Sequence, residues 1–268
     1  MFFSINFKKS LGQNFLVDQN IINKIIKIQN IEKKQTILEI GAGNGNLTNA
    51  IASMKPKKIY AIEKDKELYG YLKERFKNYT NVKIINDDIF NIIKKTNIEK
   101  NIIVYGNLPY NISTQILTSL IMIKKWPPWY KSLILMFQKE VADRIIAKKN
   151  TKEFSRLTVM SNWRFDIKKH FDISKNCFFP KPKINSTILS FTPKTKNVFD
   201  IKNPKNLETV TRILFSNRRK MINKNFLKLF EGDKTVAKKL NLNLTQRPGE
   251  LSNETFYKIT KKYEFLVN

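Results

Sequence analysis

Short apolar segments of strand length alternate with helical patterns through the first half of the chain, and this alternation constrains its fold most strongly. The strand candidates are 36–40, 58–62, 82–86, 102–105 and 132–137. Apolar residues recur with helical spacing at 19–31, where Asp18 is a candidate N-cap, and again at 65–78 and 113–124. Strands that alternate with helices pair in parallel, with helices on both faces of the sheet. The sequence therefore predicts an α/β fold.

The pattern changes towards the end of the chain. Segments 161–168 and 186–191 are expected to add strands at one edge of the sheet. A stretch at 192–204 contains Pro, Lys and Asn without periodicity, which is typical of a linker. Helical patterns then dominate at 206–216, 220–230 and 236–240, and in a last helix that Ser252 is expected to cap. We therefore predict an α/β domain over residues 1–193 and a small all-α domain over 194–268.

A glycine cluster marks the expected ligand site. The chain has only eight glycines, yet Gly41, Gly43 and Gly45 lie within five residues, between a predicted strand and a helical pattern. Open α/β sheets bind ligands at this place, and glycine lets the backbone approach the ligand closely. A dinucleotide fingerprint requires its third glycine five residues after the first, where this chain has Asn46. A nicotinamide or flavin cofactor is therefore disfavoured.

Carboxylates follow the next two predicted strands. Glu63 can accept hydrogen bonds from ribose hydroxyls, and Asp88 can accept one from an adenine amino group. The alternative for each is a solvated charge at a strand end. Because the glycine loop contains no phosphate-binding lysine, the set fits a nucleoside without phosphates, such as S-adenosylmethionine. Glu39 either orients the methionine end of that cofactor or has a structural role in the loop.

Three segments carry a resemblance to a known family. They are Leu-Gly-Gln-Asn-Phe-Leu at 11–16, Asn-Leu-Pro-Tyr-Asn-Ile-Ser at 107–113 and Phe-Phe-Pro-Lys-Pro-Lys-Ile-Asn-Ser at 178–186. In order and spacing the chain closely resembles the ribosomal RNA adenine N6,N6-dimethyltransferases over nearly its whole length. The resemblance implies a Rossmann-like class I methyltransferase domain that uses S-adenosylmethionine, followed by a helical domain that binds RNA or the ribosome.

The resemblance also implies roles for individual residues. The catalytic loop would be Asn107, Leu108, Pro109 and Tyr110. The cofactor would be bound by Asn14, Leu16, Gly41, Gly43, Gly45, Glu63, Asp88 and Asn107. Phe178 matches an aromatic residue beside the target base, with a buried core role as the alternative, and Gln13 and Phe15 would belong to a flap near the N-terminus.

The catalytic loop makes chemical sense for adenine. The exocyclic amine of adenine is a poor nucleophile, because its lone pair is delocalised into the ring. If the loop resembles that of amino-methyltransferases, the Asn107 side-chain oxygen and the Leu108 carbonyl oxygen accept the two amine hydrogens, and Tyr110 stacks on a base flipped out of its helix. Positioning then supplies much of the catalysis, and no base with a tuned pKa is needed.

The charge of the chain indicates the partner. With 50 Lys and Arg against 22 Asp and Glu, the formal net charge is +28, which attracts polyanions, although compositional drift towards Lys is the alternative. Only eight of these residues are Arg, so the adjacent pair Arg218 and Arg219 is expected to contact RNA phosphate. Segments 217–221 and 247–252 resemble the small-subunit type of the family. The expected partner is therefore 16S ribosomal RNA within an immature 30S subunit.

Two other functions stay open at this point. One is a 23S ribosomal RNA adenine methyltransferase of the erythromycin-resistance type, and the other is a non-catalytic binding factor in ribosome assembly or transcription. The single cysteine, Cys177, and the single histidine cannot form a disulfide or a zinc site, and no apolar stretch is long enough to span a membrane. We therefore expect a cytoplasmic protein without metal or membrane insertion; a monomer is also expected, although the sequence does not give the oligomeric state.

Overall fold

The computed structural model describes residues 13–95, 99–195 and 199–267, so the first two residues of the segment 11–16 lie outside the described ranges. The strands are β1 (Phe15–Leu16), β2 (Thr36–Ile40), β3 (Lys58–Glu63), β4 (Val82–Asn86), β5 (Ile102–Asn107), β6 (Tyr130–Gln138), β7 (Phe165–Ile173), β8 (Phe178–Phe179) and β9 (Ser186–Pro193). The helices are α1 (Gln19–Ile26), α2 (Asn46–Ser53), α3 (Lys66–Arg75), α4 (Ile89–Lys94), α5 (Ser113–Ile121), α6 (Lys139–Ile145), α7 (Arg156–Arg164), α8 (Pro204–Leu214), α9 (Asn223–Leu229), α10 (Thr235–Lys239) and α11 (Asn253–Val267).

A seven-stranded sheet with the order β4-β3-β2-β5-β6-β9-β7 forms the centre of the fold. The strands β2 to β6 pair in parallel, and β9 pairs antiparallel with β6. The chain order reverses between β2 and β5, and ligands bind at the carboxyl ends of the strands at such a switch point. The predicted α/β fold with a mainly parallel sheet is confirmed.

Helix α1 shows how the sequence pattern becomes packing. The Asp18 carboxylate accepts hydrogen bonds from the amides of Asn20 (2.9 Å) and Ile21 (3.1 Å), which confirms the predicted N-cap. The helix then buries Ile22 and Ile25, three residues apart on one face, in the hydrophobic core beside β2 and β5.

A two-stranded ribbon lies apart from the main sheet. It pairs β1 with β8 in antiparallel register, with Phe15 opposite Phe179 and Leu16 opposite Phe178. Leu16 and Phe178 are both buried in the core that contains α1. Since the hydrogen bonds of the ribbon hold both segments, the chain around residue 15 is attached to the 178–186 segment far from it in sequence.

The chain forms two compact units. The first contains the described residues of Met1–Ser119, Pro128–Ala142 and Ile167–Pro193, and the second contains those of Leu120–Pro127, Asp143–Asp166 and Lys194–Asn268. The second unit thus includes two segments that the sequence boundary at residue 193 assigns to the first domain.

The buried Arg164 explains why Leu120–Pro127 joins the second unit. Its guanidinium carbon lies 4.4 Å from the ring centroid of Trp126 and 4.2 Å from that of Trp163. The same guanidinium donates hydrogen bonds to the carbonyl oxygens of Ile121 and Ile123. Rings and carbonyls in this arrangement replace the hydration that a buried cation loses.

Helices make up most of the second unit, as predicted for residues 194–268. α8 packs against α7, α9 and α11. The Ser252 hydroxyl accepts a hydrogen bond from the Thr255 amide (3.1 Å), which confirms it as the cap of α11, and Phe256 and Ile259 are fully buried. No helix in the described ranges has the length and hydropathy needed to cross a bilayer.

One predicted strand is wrong in its first half. The chain at 161–168 continues α7 as far as Arg164, and β7 begins only at Phe165. α7 is buried on nearly all sides, so its sequence lacks the apolar stripe at three- and four-residue spacing that indicates a helix. The strands predicted at 36–40, 58–62, 82–86, 102–105, 132–137 and 186–191 are confirmed to within two residues at each end.

Candidate active site

A cavity in the first unit opens at the carboxyl ends of β2, β3, β4 and β5, the edge of the sheet where the strand order reverses. The loops after these strands and the chain leading into β1 form its wall. Of the site residues predicted from the sequence, the cavity is lined by Asn14, Gly41, Gly43, Glu63, Asp88, Asn107, Leu108, Pro109 and Tyr110. The fold therefore brings the proposed cofactor residues and the proposed catalytic loop into one space.

The glycine loop after β2 needs glycine for two reasons. Gly41, Gly43 and Gly45 have φ angles of 69°, 57° and 79°, in a region of backbone conformation that residues other than glycine rarely adopt. A Cβ atom at Gly43 would lie 2.8 Å from two ring carbons of Phe15, and one at Gly45 would lie 2.8 Å from Leu72. The loop therefore touches the ribbon on one side and α3 on the other.

Hydrogen bonds fix the path of this loop. The amides of Gly41 (2.9 Å) and Ala42 (3.1 Å) donate to the Ile62 carbonyl oxygen at the end of β3. The Arg75 guanidinium on α3 donates to the Asn44 carbonyl oxygen. These bonds tie the loop to the end of β3 and to α3.

Glu63, which the sequence predicts to bind ribose hydroxyls, also holds the glycine loop in place. One carboxylate oxygen accepts the Gly43 amide (2.9 Å) and the other accepts the Asp65 amide (2.9 Å). Burial raises the pKa of Glu63, and the backbone hydrogen bonds oppose that rise. Each carboxylate oxygen can accept more than one hydrogen bond, so Glu63 retains acceptor capacity for ribose hydroxyls.

Asp88 lies at the neighbouring strand end and pairs with a lysine. Its carboxylate accepts the Phe90 amide (3.0 Å), which caps α4, and the Lys64 ammonium (2.8 Å). Burial raises the pKa of Asp88, but these two hydrogen bonds outweigh burial and the pKa lies below its ordinary value. A charged acceptor is thus available where the sequence predicts an adenine contact.

Glu39 lies behind the loop and does not line the cavity. Its buried carboxyl accepts a hydrogen bond of 2.5 Å from the Thr48 hydroxyl on α2. Burial raises the pKa of Glu39 from 4.5 to about 8, and the nearby Glu63 carboxylate adds to the rise. These contacts favour the structural role that the sequence leaves open, because the carboxyl group joins the start of the loop to α2.

The loop after β5 supplies neutral polar groups. The Asn107 side-chain nitrogen donates to the Asn14 carbonyl oxygen (2.9 Å), so the amide oxygen of Asn107 is the end that can accept. The Tyr110 hydroxyl lies 2.5 Å from the Ser186 hydroxyl. Burial raises the pKa of Tyr110, so the phenol stays protonated at neutral pH.

Five predicted site residues do not line this cavity. Leu16 and Phe178 face the core, and Gly45 packs against α3. Arg218 donates to the carbonyl oxygens of Lys152 (2.7 Å) and Phe154 (2.6 Å) within the second unit. Arg219 lines a separate cavity of the second unit, together with Lys220, Lys224 and Arg247.

Other residues at the cavity are absent from the predicted set. Lys64 and Asp87 line it beside Asp88, and the apolar side chains of Ile40, Ile62 and Ile89 form part of its floor. Lys64 directly follows Glu63, so its position after a strand is readable from the sequence, but its pairing with Asp88 depends on the register of β3 and β4. The described residues contain no cluster of three or more His, Cys, Asp or Glu that could hold a metal ion.

These features fit an adenosine cofactor without phosphates. The cavity joins a loop whose backbone angles favour glycine to two carboxylates on neighbouring strands, which can accept hydrogen bonds from ribose hydroxyls and an adenine amino group. Fold and site together define a Rossmann-like methyltransferase with a helical C-terminal part.

Comparisons with known proteins identify the family. Residues 4–264 match the family model described as ribosomal RNA adenine dimethylase. The chain is 49% identical to a ribosomal RNA small subunit methyltransferase A from Pelagibacter ubique over 97% of both chains. We conclude that this chain belongs to the ribosomal RNA adenine dimethylase family.

Solved structures agree with this conclusion. A dimethyladenosine transferase from Plasmodium falciparum superposes with a TM-score of 0.76 at 26% identity, covering 93% of this chain and 97% of that one. The 23S ribosomal RNA methyltransferase ErmE gives a TM-score of 0.67 at 20% identity, covering 93% of this chain and 99% of that one, a likeness of fold alone.

We expect Gly43→Ala to weaken binding of S-adenosylmethionine on the order of 10-fold, because the added methyl group strains the backbone and displaces the Phe15 ring. Isothermal titration of the cofactor measures the change. Gly70→Ala is the matched control, since Gly70 lies on α3 with no atom within 4 Å of an added Cβ. Equal dissociation constants for Gly43→Ala and wild type would show that the loop tolerates a side chain.

We expect the unfolding free energy of the wild type to fall as the pH rises from 4.5 to about 8, relative to Glu39→Gln. The folded state holds the Glu39 proton more tightly than the unfolded chain does. The stabilisation that this proton contributes is fully present below pH 4.5 and is lost as the pH rises through about 8. Urea unfolding of both proteins at several pH values measures the difference. A difference in unfolding free energy between the two proteins that stays constant across this pH range contradicts the raised pKa of Glu39.

Proposed function

We propose that this protein dimethylates the N6 amines of two adjacent adenines in a hairpin loop near the 3′ end of 16S ribosomal RNA, within an immature 30S subunit. The observation that carries the proposal is the shared cavity, in which the glycine loop and two strand-end carboxylates meet the loop at Asn107–Tyr110. Membership of the dimethylase family supports the reaction, and the similarity to a small subunit methyltransferase supports the choice of RNA. Such a substrate implies a cytoplasmic location.

The cofactor is S-adenosylmethionine, which supplies an electrophilic methyl group on a sulfonium sulfur when it is bound. We assign Glu63 to the ribose hydroxyls and Asp88 to the adenine amino group, with Gly41 and Gly43 pressed against the nucleoside. Leu16 and Gly45 would support this site from behind, since the Leu16 side chain of the ribbon faces the core and Gly45 packs against α3.

The residues of the Asn107 loop would prepare the target amine. The Asn107 amide oxygen accepts one amine hydrogen, and the Leu108 carbonyl oxygen accepts the other. These two bonds draw the nitrogen towards tetrahedral geometry and localise its lone pair. Pro109 restricts the loop backbone, and the Tyr110 ring stacks on the extruded base while Ser186 holds its hydroxyl.

The proton that the amine must release needs no tuned base. A methylated amine becomes acidic once it carries a positive charge, so the proton can pass to water after attack. The Asn14 carbonyl oxygen holds the Asn107 amide in one orientation, which keeps the acceptor oxygen directed to the amine position without rearrangement.

The second unit would hold the RNA backbone. The cavity beside α9 combines Arg219 with Lys220, Lys224 and Arg247 against the single acid Glu250, a charge balance that suits phosphate. Arg218 is engaged with two carbonyl oxygens, so we assign the phosphate contact to Arg219 and a structural role to Arg218.

We expect Asn107→Ala to lower methyl transfer on the order of 100-fold, because one of the two acceptors of the amine is lost. The measurement incubates immature 30S particles and, in a separate reaction, 23S ribosomal RNA with labelled S-adenosylmethionine, and follows the label in each RNA. Asn23→Ala, an exposed amide on α1, is the control. Methyl transfer that survives Asn107→Ala contradicts the mechanism. Label in 23S RNA instead of 16S RNA favours a methyltransferase of the erythromycin-resistance type. RNA binding by the wild type without methyl transfer favours a non-catalytic binding factor.

We expect Arg219→Ala to affect RNA binding and Arg218→Ala to affect folding stability. Arg219→Ala should weaken RNA binding and reduce the slope of log affinity against log salt by about 1, because one phosphate contact is lost. Arg218→Ala should instead lower the unfolding free energy by roughly 0.5–1.5 kcal/mol, because hydrogen bonds from an exposed side chain to two carbonyl oxygens are lost. Filter binding over a salt series and thermal melting measure both effects. Identical salt slopes for Arg219→Ala and wild type would refute the phosphate contact.

A further inference from the structure

The two faces of the β1–β8 ribbon carry residues in different environments. In an antiparallel pair, side chains opposite each other lie on the same face, and successive residues point to alternate faces. Leu16 and Phe178 are opposed, and they are 4% and 3% exposed, so theirs is the core face. Phe15 and Phe179 are also opposed, so their side chains share the other face.

This second face borders the cavity of the active site. Phe15 lines that cavity, and its ring lies against the glycine loop at Gly43. Phe179, on the same face, is 54% exposed. The ribbon therefore presents an aromatic ring to solvent next to the cavity.

The loop at 180–185 links this ring to the other wall of the cavity. It begins directly after Phe179 and ends at Ser186, whose hydroxyl lies 2.5 Å from the hydroxyl of the cavity residue Tyr110. Lys181 and Lys183 within the loop are exposed. An exposed aromatic ring followed by two cations thus lies along the edge of the cavity.

We infer that Phe179 stacks on the unpaired base next to the target adenine, with Lys181 and Lys183 beside the RNA backbone. Aromatic rings combined with cations are how proteins hold single-stranded nucleic acid. The inference rests on the proposed function, in which the target is flipped into the cavity. The neighbouring nucleotide is then one phosphodiester away, beside the cavity. Phe178, which the family resemblance assigns to the base, faces the core instead.

The test compares Phe179→Leu and Phe179→Trp with the wild type. For Phe179→Leu we expect the KM for immature 30S particles to rise about 10-fold, with an unchanged dissociation constant for S-adenosylmethionine, because leucine retains bulk but cannot stack. Phe179→Trp should restore the KM. Phe265→Leu, which alters a ring that is 78% exposed in the second unit, is the matched control.

A second measurement does not depend on methyl transfer. A hairpin RNA carries 2-aminopurine next to the target adenine, and stacking on Phe179 quenches its fluorescence. Quenching by the wild type and by Phe179→Trp, but not by Phe179→Leu, supports the inference. Equal quenching by all three proteins overturns it.

The outcomes separate this inference from the proposed function. An unchanged KM for Phe179→Leu overturns the stacking role while methyl transfer by the wild type still stands. A loss of cofactor affinity equal to the rise in KM also overturns it, because the ring would then support the glycine loop. Absence of methyl transfer by the wild type contradicts the proposed function, and the fluorescence measurement still decides the stacking.

Discussion

The hydrogen bond from the Gly43 amide to the Glu63 carboxylate is the contact on which the active site depends. It ties the loop after β2 to the end of β3, at the point where the strand order of the sheet reverses. Because Gly43 has no side chain, the Phe15 ring can lie against the same loop. One short stretch of backbone thereby positions a carboxylate on one side and the ribbon on the other.

The ribbon in turn connects the glycine loop of the cavity to the loop at Asn107–Tyr110. β1 leads from Asn14, whose carbonyl oxygen holds the Asn107 amide, to Phe15 beside the glycine loop. Its partner β8 leads through the lysine-containing loop to Ser186, which contacts Tyr110. The glycine loop, the Asn107 loop and the exposed ring of Phe179 are therefore joined through the ribbon, by its hydrogen bonds and by the contact of the Phe15 ring with Gly43.

Much of the fold is readable from the sequence, but not all of it. The strands of the sheet are short apolar segments between turns, and α1 and α11 have visible caps, so local pattern alone predicts them. α7 is hidden because burial on nearly all sides removes its periodicity. The segment 120–127 joins the second unit through Arg164, whose carbonyl partners and Trp126 are distant in sequence from its own helix.

The candidate site, like the fold, can be read from the sequence only in part. Gly41, Glu63 and Asp88 are readable from chemistry and spacing, and Asn107 from the family resemblance, because each stands at or just after the carboxyl end of a strand of the parallel sheet. Pairing across the fold decided the surroundings of other candidates: Phe178 faces the core while Phe179 is exposed, and Arg218 donates to two carbonyl oxygens while Arg219 lines a cavity. Strand register separates Phe178 from Phe179, since adjacent residues in a strand face opposite ways, and long-range hydrogen bonds distinguish Arg218 from Arg219.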